Sequence, residues 1–165
     1  MSPETSSTET SSTETSSTGA AAPALFDQAN PAHVKALQKL DSEIIAWITT
    51  VRSDGAPRSV PVWFLWHEGT VLVMSEPTTA KVHAIRRGSP VQLHLETGPF
   101  GSDVVILSGS AEVSETDAAG WLPRIRDAYS AKYAEAMGDY GMDIEPIMAQ
   151  FSSVIVFTPE RLSAW

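Results

Sequence analysis

Residues 44–66 read IIAWITTVRSDGAPRSVPVWFLW, and the order of residue types in that stretch decides the fold. Ile44 to Arg52 is rich in β-branched and aromatic residues, which suit a pleated, half-buried strand. Ser53-Asp54-Gly55-Ala56 then holds an Asp-Gly pair, the strongest short-range hairpin signal. Arg58 to Trp66 returns as the partner strand, His67-Glu68-Gly69 is the next turn, and Thr70 to Ser75 is a third strand. Three consecutive strands joined by short turns predict a β-meander.

The pattern extends in both directions. Upstream, Asn30-Pro31 places a side-chain cap before a proline at the first helical position, so a helix is expected to about Leu40. Downstream, Thr78 or Thr79 caps a short helix that ends at Gly88. Val91 to Thr97 alternates apolar and polar residues, and Val104 to Ser114 is a long strand with Gly109 where a backbone can approach closely. Thr116 to Met137 reads as helical with a break at Pro123, its second part burying Ile125, Tyr129, Tyr133 and Met137. Asp143 caps another short helix. Ser153 to Phe157 is a final apolar strand, continued after Pro159 to Trp165. Six mainly antiparallel strands with few long crossovers predict a small closed or nearly closed barrel with helices packed outside. Several strands, among them Ile44/Ile45/Trp47/Ile48 and Val60 to Trp66, are apolar on both faces. One barrel interior cannot hide both, so a homodimer is expected.

Residues 2–18 repeat a Thr-Glu-Thr-Ser-Ser unit without any large apolar side chain, and an Ala-rich linker follows. Such a segment cannot offset the entropy of ordering it, so residues 1–24 read as a disordered tail and linker, and 25–165 as one folded domain. Hydrophobic residues make up 42% and charged residues 19% of 165, ordinary values for one globular domain. There is no cysteine, which excludes disulfides, thiolate metal sites and thiol nucleophiles. The net charge of −9 argues against nucleic acid or anionic membranes as partners. No apolar run approaches the length of a bilayer crossing, and the acidic N-terminus lacks a secretory n-region. The expectation is a soluble, cytoplasmic protein.

The chain has no obvious reactive apparatus of its own. It lacks a Gly-x-Ser-x-Gly elbow, a P-loop and a Gly-x-Gly-x-x-Gly fingerprint, and its four histidines show no ligand spacing. If the chain is an enzyme, a cofactor supplies the chemistry. The informative window is Met74-Ser75-Glu76-Pro77-Thr78-Thr79-Ala80-Lys81, where a strand ends, hydroxyls cluster and a helix starts with a lysine in its first turn. Ser75, Thr78, Thr79 and Lys81 could receive an anion there, although an ordinary capped helix accounts for the same residues. Residues 52–87 hold Arg52, Arg58, Lys81, Arg86 and Arg87 against Asp54, Glu68 and Glu76, a positive island on an acidic chain. Pro61 inside a strand marks either an opening, with Trp63 as an aromatic wall, or a protected sheet edge.

Taken together, the runs from Trp47 to Gly55, Arg58 to Trp66, Ala80-Lys81-Val82 and Val91 to Leu95 resemble the pyridoxamine-phosphate-oxidase-like split-barrel family. Within it they look closest to the deazaflavin (coenzyme F420)-dependent reductases. Weaker echoes appear at Asp103 to Val113 and at Ala131-Lys132-Tyr133. The resemblance implies a mainly β, six-stranded antiparallel split β-barrel, FMN-binding-like and homodimeric, with cofactor sites at the subunit interface. It implies that Arg58, Ser59, Val60, Pro61, Val62 and Trp63 line the ring, and that Met74, Ser75, Thr79, Ala80 and Lys81 hold the phosphate. No catalytic side chain and no metal ligand is implied. The chain ends Pro159-Glu160-Arg161-Leu162-Ser163-Ala164-Trp165, with an arginine but without the histidine of true pyridoxamine phosphate oxidases, which argues against vitamin B6 oxidation. The implied activity is hydride transfer from reduced coenzyme F420 to an unsaturated or conjugated small molecule. An FMN-binding oxidase or flavin reductase, and a non-enzymatic flavin or haem carrier, stay open as alternatives.

Overall fold

A computed structural model describes residues 25–165, so the expected disordered tail lies outside the described residues. Helix α1 (Pro31–Ser42) starts as its sequence dictates: the Asn30 side chain accepts a hydrogen bond from the Ala32 N–H, with Pro31 beside it. Strands β1 (Ile45–Val51) and β2 (Pro57–Trp63) form the expected hairpin. The Gly55 N–H closes the turn onto the Arg52 carbonyl, with Gly55 at φ 83°, where a side chain would be strained. Then come β3 (Leu65–His67), β4 (Thr70–Ser75), α2 (Ala80–Arg86), β5 (Val91–Leu95) and β6 (Val105–Val113). Helices α3 (Ala118–Tyr140) and α4 (Ile144–Gln150) precede the last strand, β7 (Ser153–Ala164).

The seven strands pair antiparallel throughout, in the order β2-β1-β5-β6-β7-β4-β3, with one isolated parallel bridge between Ser75 and Ser152. The two edge strands, β2 and β3, are consecutive in the chain with only Phe64 between them. The sheet therefore curls until its edges are joined through one residue, consistent with a split barrel flanked by helices. This corrects the expected strand count from six to seven. The stretch Arg58 to Trp66 pairs with β1 in its first half and with β4 in its second, so it forms two strands. The meander is broken at its middle strand.

Phe64 shows how the corner is held. It is fully buried, and its N–H and C=O belong to neither ladder. The Tyr133 hydroxyl of α3 takes their place: it accepts from the Phe64 N–H at 2.7 Å and faces the Phe64 and Ile44 carbonyls at 2.8 and 2.9 Å. Its one proton serves those two acceptors.

The interior of the barrel is built from Ala46, Ile48, Phe64, Leu93, Leu107 and Phe157. A second core lies on the opposite face of the sheet, where Leu65, Leu72, Met74 and Val154 meet Ile125, Tyr129 and Tyr133 of α3 and Met148 of α4. The outer face of β3, β4 and β7 is thus covered by the chain's own helices. Two-faced apolar strands there do not call for a second molecule. The expected break at Pro123 does not occur, and α3 runs through it. Pro123 lies near the solvent-exposed start of the helix, where the Ala119 carbonyl that loses its donor can be hydrated. Strand β7 likewise runs through Pro159, opposite a bulge between Ser108 and Gly109. A Cβ at Gly109 would lie 2.1 Å from the Thr158 carbonyl oxygen, which confirms the close backbone approach. Among the described residues, no helix is long and apolar enough to cross a membrane.

Lys132, next to Tyr133, also braces this corner. Its ammonium donates to the Leu40 carbonyl at 2.8 Å and lies 3.9 Å from the Phe64 ring centroid. Burial pushes its pKa down to about 8, against the pull of Asp41 and Glu43 in the other direction. An unfolded lysine titrates near 10.4, so between these values the unfolded chain binds more protons. Stability contributed by this site therefore rises with pH across that window and is lowest below it. Thermal melts from pH 8 to 10 are expected to show wild type gaining on Lys132→Met. A constant difference between the two across that range would show that burial of the Lys132 ammonium does not set the pH dependence.

Candidate cofactor site

The end of β2, the turn from β4 into α2, and the helices α3 and α4 enclose a cavity of ≈ 370 Å³. Pro61, Val62 and Trp63 form one wall; they are the last residues of β2, still paired with Trp47, Ala46 and Ile45 of β1 where the strand reaches the corner. Met74 and Glu76 come from the end of β4, Thr79 and Lys81 from the start of α2. Tyr129 and Tyr140 of α3, with Ile147, Gln150 and Phe151 in and after α4, complete the lining. The Trp63 ring is fixed from behind by Tyr133, stacked at 4.6 Å and 10°, and is met edge-on by Tyr140 at 6.0 Å. A flat aromatic wall thus stands in the same cavity as a lysine.

Lys81 is half-buried and makes no hydrogen bond or ion pair with another described residue. Burial lowers its pKa; Glu76 opposes that shift and Arg58 adds to it. The cation is therefore held where its charge is disfavoured, beside a second cation. An anionic ligand group would relieve both, which makes this end of the cavity fit a phosphate. Ser75 and Thr79 are less available than their sequence suggests. The Ser75 and Thr79 hydroxyls lie 2.9 Å apart, and each is placed to donate to the Glu76 carbonyl, at 3.2 and 3.1 Å. Their first job is to lock the turn from β4 into α2. The Gln150 amide ties α4 to the same turn, donating to the Glu76 carboxylate at 3.1 Å.

Of the residues named from sequence, Pro61, Val62, Trp63, Met74, Thr79 and Lys81 come together in this cavity. The rest do not line it. Arg58 and Ala80 open on a neighbouring cleft with Arg52, His83 and Arg87. Ser59 shares a hydrogen bond of 2.6 Å with Thr49 across the β1–β2 ladder, Val60 packs on the interior core, and Ser75 is buried. Sequence reasoning missed Tyr129, Tyr140, Ile147, Gln150 and Phe151 as lining residues. The four-residue spacing of Tyr129 and Tyr133 signalled burial and could not signal a cavity. Glu76 sat inside the window that pointed to an anion site and could have been weighed there.

A family model described as pyridoxamine 5'-phosphate oxidase matches residues 31–165. No curated protein matches the chain. Among solved structures, a Listeria innocua protein assigned as a pyridoxamine 5'-phosphate oxidase is 21% identical, with a TM-score of 0.57 over 79% of this chain and 95% of that one. A protein described as an F420 reductase is 18% identical, with a TM-score of 0.56 over 76% and 94%. The haem storage protein HutZ from Vibrio cholerae is 13% identical, with a TM-score of 0.60 over 78% and 91%. At these identities the likeness shows the fold.

Proposed function

The chain belongs to the pyridoxamine 5'-phosphate oxidase family, and on that footing we propose that it is a flavin- or deazaflavin-dependent oxidoreductase. The observation that carries this reading is the joining, in one cavity, of the Pro61–Trp63 wall with a half-buried, unpartnered Lys81. Trp63 would face the tricyclic ring, and Lys81 would hold the phosphate, with Arg58 adding positive potential from the neighbouring cleft. The bound cofactor would supply a hydride, and reduced coenzyme F420 passing it to an unsaturated or conjugated small molecule is the favoured form. That choice is supported by the resemblance of the β1–β2 and Ala80-Lys81-Val82 stretches to the F420-dependent branch. The chain's own part is to bind, orient and keep water from the ring.

FMN is the second reading, favoured by the same two cations, which suit a terminal phosphate dianion. A haem carrier is the third in rank: the cavity lining carries no histidine or cysteine, and only Met74, Tyr129 and Tyr140 are of a type that can serve as an axial ligand. Titrating the apoprotein with F420 and FMN at one ionic strength tests the proposal. Saturable binding of either, followed by hydride transfer to an activated alkene, supports it; binding of neither refutes it.

We also propose a homodimer. Pairing places Pro61, Trp47, His94 and Ile106 in one row across β2, β1, β5 and β6. Trp47 and His94 stack at 6.3 Å and, like Ile106, are only half-buried, while Pro61 is exposed and also lines the cavity. A second copy seated on this row would close the cavity's open side. Light scattering is expected to give about twice 17.7 kDa, and a single-chain mass at micromolar concentration would overturn the dimer.

A further inference from the structure

Tyr129 and Tyr133 stand one helical turn apart on α3, both fully buried, with ring centroids 4.7 Å apart. Their hydroxyls have opposite fates. That of Tyr133 is consumed by the corner at Phe64. That of Tyr129 has no hydrogen-bond partner among the described residues. It is also not a sealed orphan, since Glu43 Oε2 alone among the described side chains is a buried polar atom without a partner. The Tyr129 oxygen therefore keeps contact with open space, and the space its side chain borders is the cavity. Leaving a phenol unpaired inside a protein costs free energy unless something else satisfies it.

The geometry points to the Tyr129 hydroxyl as the donor that hydrogen-bonds an acceptor atom, a carbonyl oxygen or imine nitrogen, on the flat ring seated against Trp63. This assignment rests on the cofactor reading above and adds a residue to it. Burial raises the pKa of the phenol, so it stays protonated and able to donate throughout the range in which the protein would work. Tyr129 and Lys81 then divide recognition between them. The phenol reads the ring, and the ammonium reads the phosphate.

Tyr129→Phe keeps the ring and its packing and removes only the oxygen. Three probes separate the roles: FMN, riboflavin, which has the ring without the phosphate, and inorganic phosphate. Tyr129→Phe is expected to bind FMN and riboflavin roughly 3- to 10-fold more weakly, the range for one neutral hydrogen bond, and phosphate unchanged. The visible absorption shift of the bound flavin should differ between the two proteins. Melting of the apoprotein should be unchanged or higher in Tyr129→Phe, because no internal bond is lost. Equal flavin affinities and spectra would overturn the assignment and leave the cofactor reading standing. A drop in apoprotein stability would also overturn it, by showing that the hydroxyl is used internally. Failure of wild type to bind FMN, riboflavin or F420 would overturn the cofactor reading and take the donor assignment with it.

Discussion

Replacing Tyr133 with phenylalanine is expected to lower the stability of the apoprotein by about 2–4 kcal/mol, the cost of orphaning more than one buried backbone group. The hydroxyl is the partner of the Phe64 N–H and lies within hydrogen-bond distance of the Phe64 and Ile44 carbonyls. The two Phe64 groups cannot turn to water, since Phe64 and Tyr133 are fully buried, whereas Ile44 is exposed. The substitution leaves the ring, so the stacking on Trp63 is retained and the loss isolates the polar contacts. Chemical denaturation measures it directly. Tyr140→Phe serves as the control, because Tyr140 is 57% exposed and its hydroxyl has no partner among the described residues. Equal stability of wild type and Tyr133→Phe would show that the split of the strand at Phe64 is held by something other than this hydroxyl.

Lys81→Ala is expected to weaken binding of the phosphorylated cofactor by about 1.5–3 kcal/mol, on the order of 10- to 100-fold, as for a hydrogen bond to a charged group. Stability of the apoprotein should hold, because Lys81 has no partner to lose and burial works against its charge. Arg87→Ala is the control, a residue at the far end of α2 outside the cavity. The pH dependence follows from the same lysine. Its pKa is lowered in the free protein, and a bound phosphate would raise it again, so binding takes up a proton once the pH exceeds the lowered value. Affinity should fall as pH rises through that value, and Lys81→Ala should lose this part of the slope. Isothermal titration in buffers of different ionisation enthalpy reads the proton uptake. Equal affinity of the two proteins for FMN and for F420 would remove Lys81 from the site.

Much of the fold is written in local signals. Asn30-Pro31 starts α1, Asp54-Gly55 turns β1 into β2, and Gly88 ends the α2 segment with a positive φ. Gly109 marks a close approach for a reason readable in one residue, the missing Cβ. Lys81 could be singled out because a change from strand to helix period, with hydroxyls and a cation at the junction, is a pattern within eight residues. These features depend on neighbours a few positions apart, where side-chain type alone sets the backbone preference.

What only the tertiary structure decided depends on partners far away in sequence. Nothing within Arg58 to Trp66 marks Phe64 as a corner, because the group that receives its backbone is a hydroxyl 69 residues later. The same distance hides the cavity. Apolar residues at helical spacing on α3 and α4 predict burial, but burial against β3, β4 and β7 and burial beside an open volume look identical in a sequence. Tyr129 and Tyr133 occupy equivalent places in that period, one turn apart. One hydroxyl closes a barrel and the other belongs to a side chain that borders a cavity, because the strand beneath them stops pairing at one residue, and only one tyrosine stands over it.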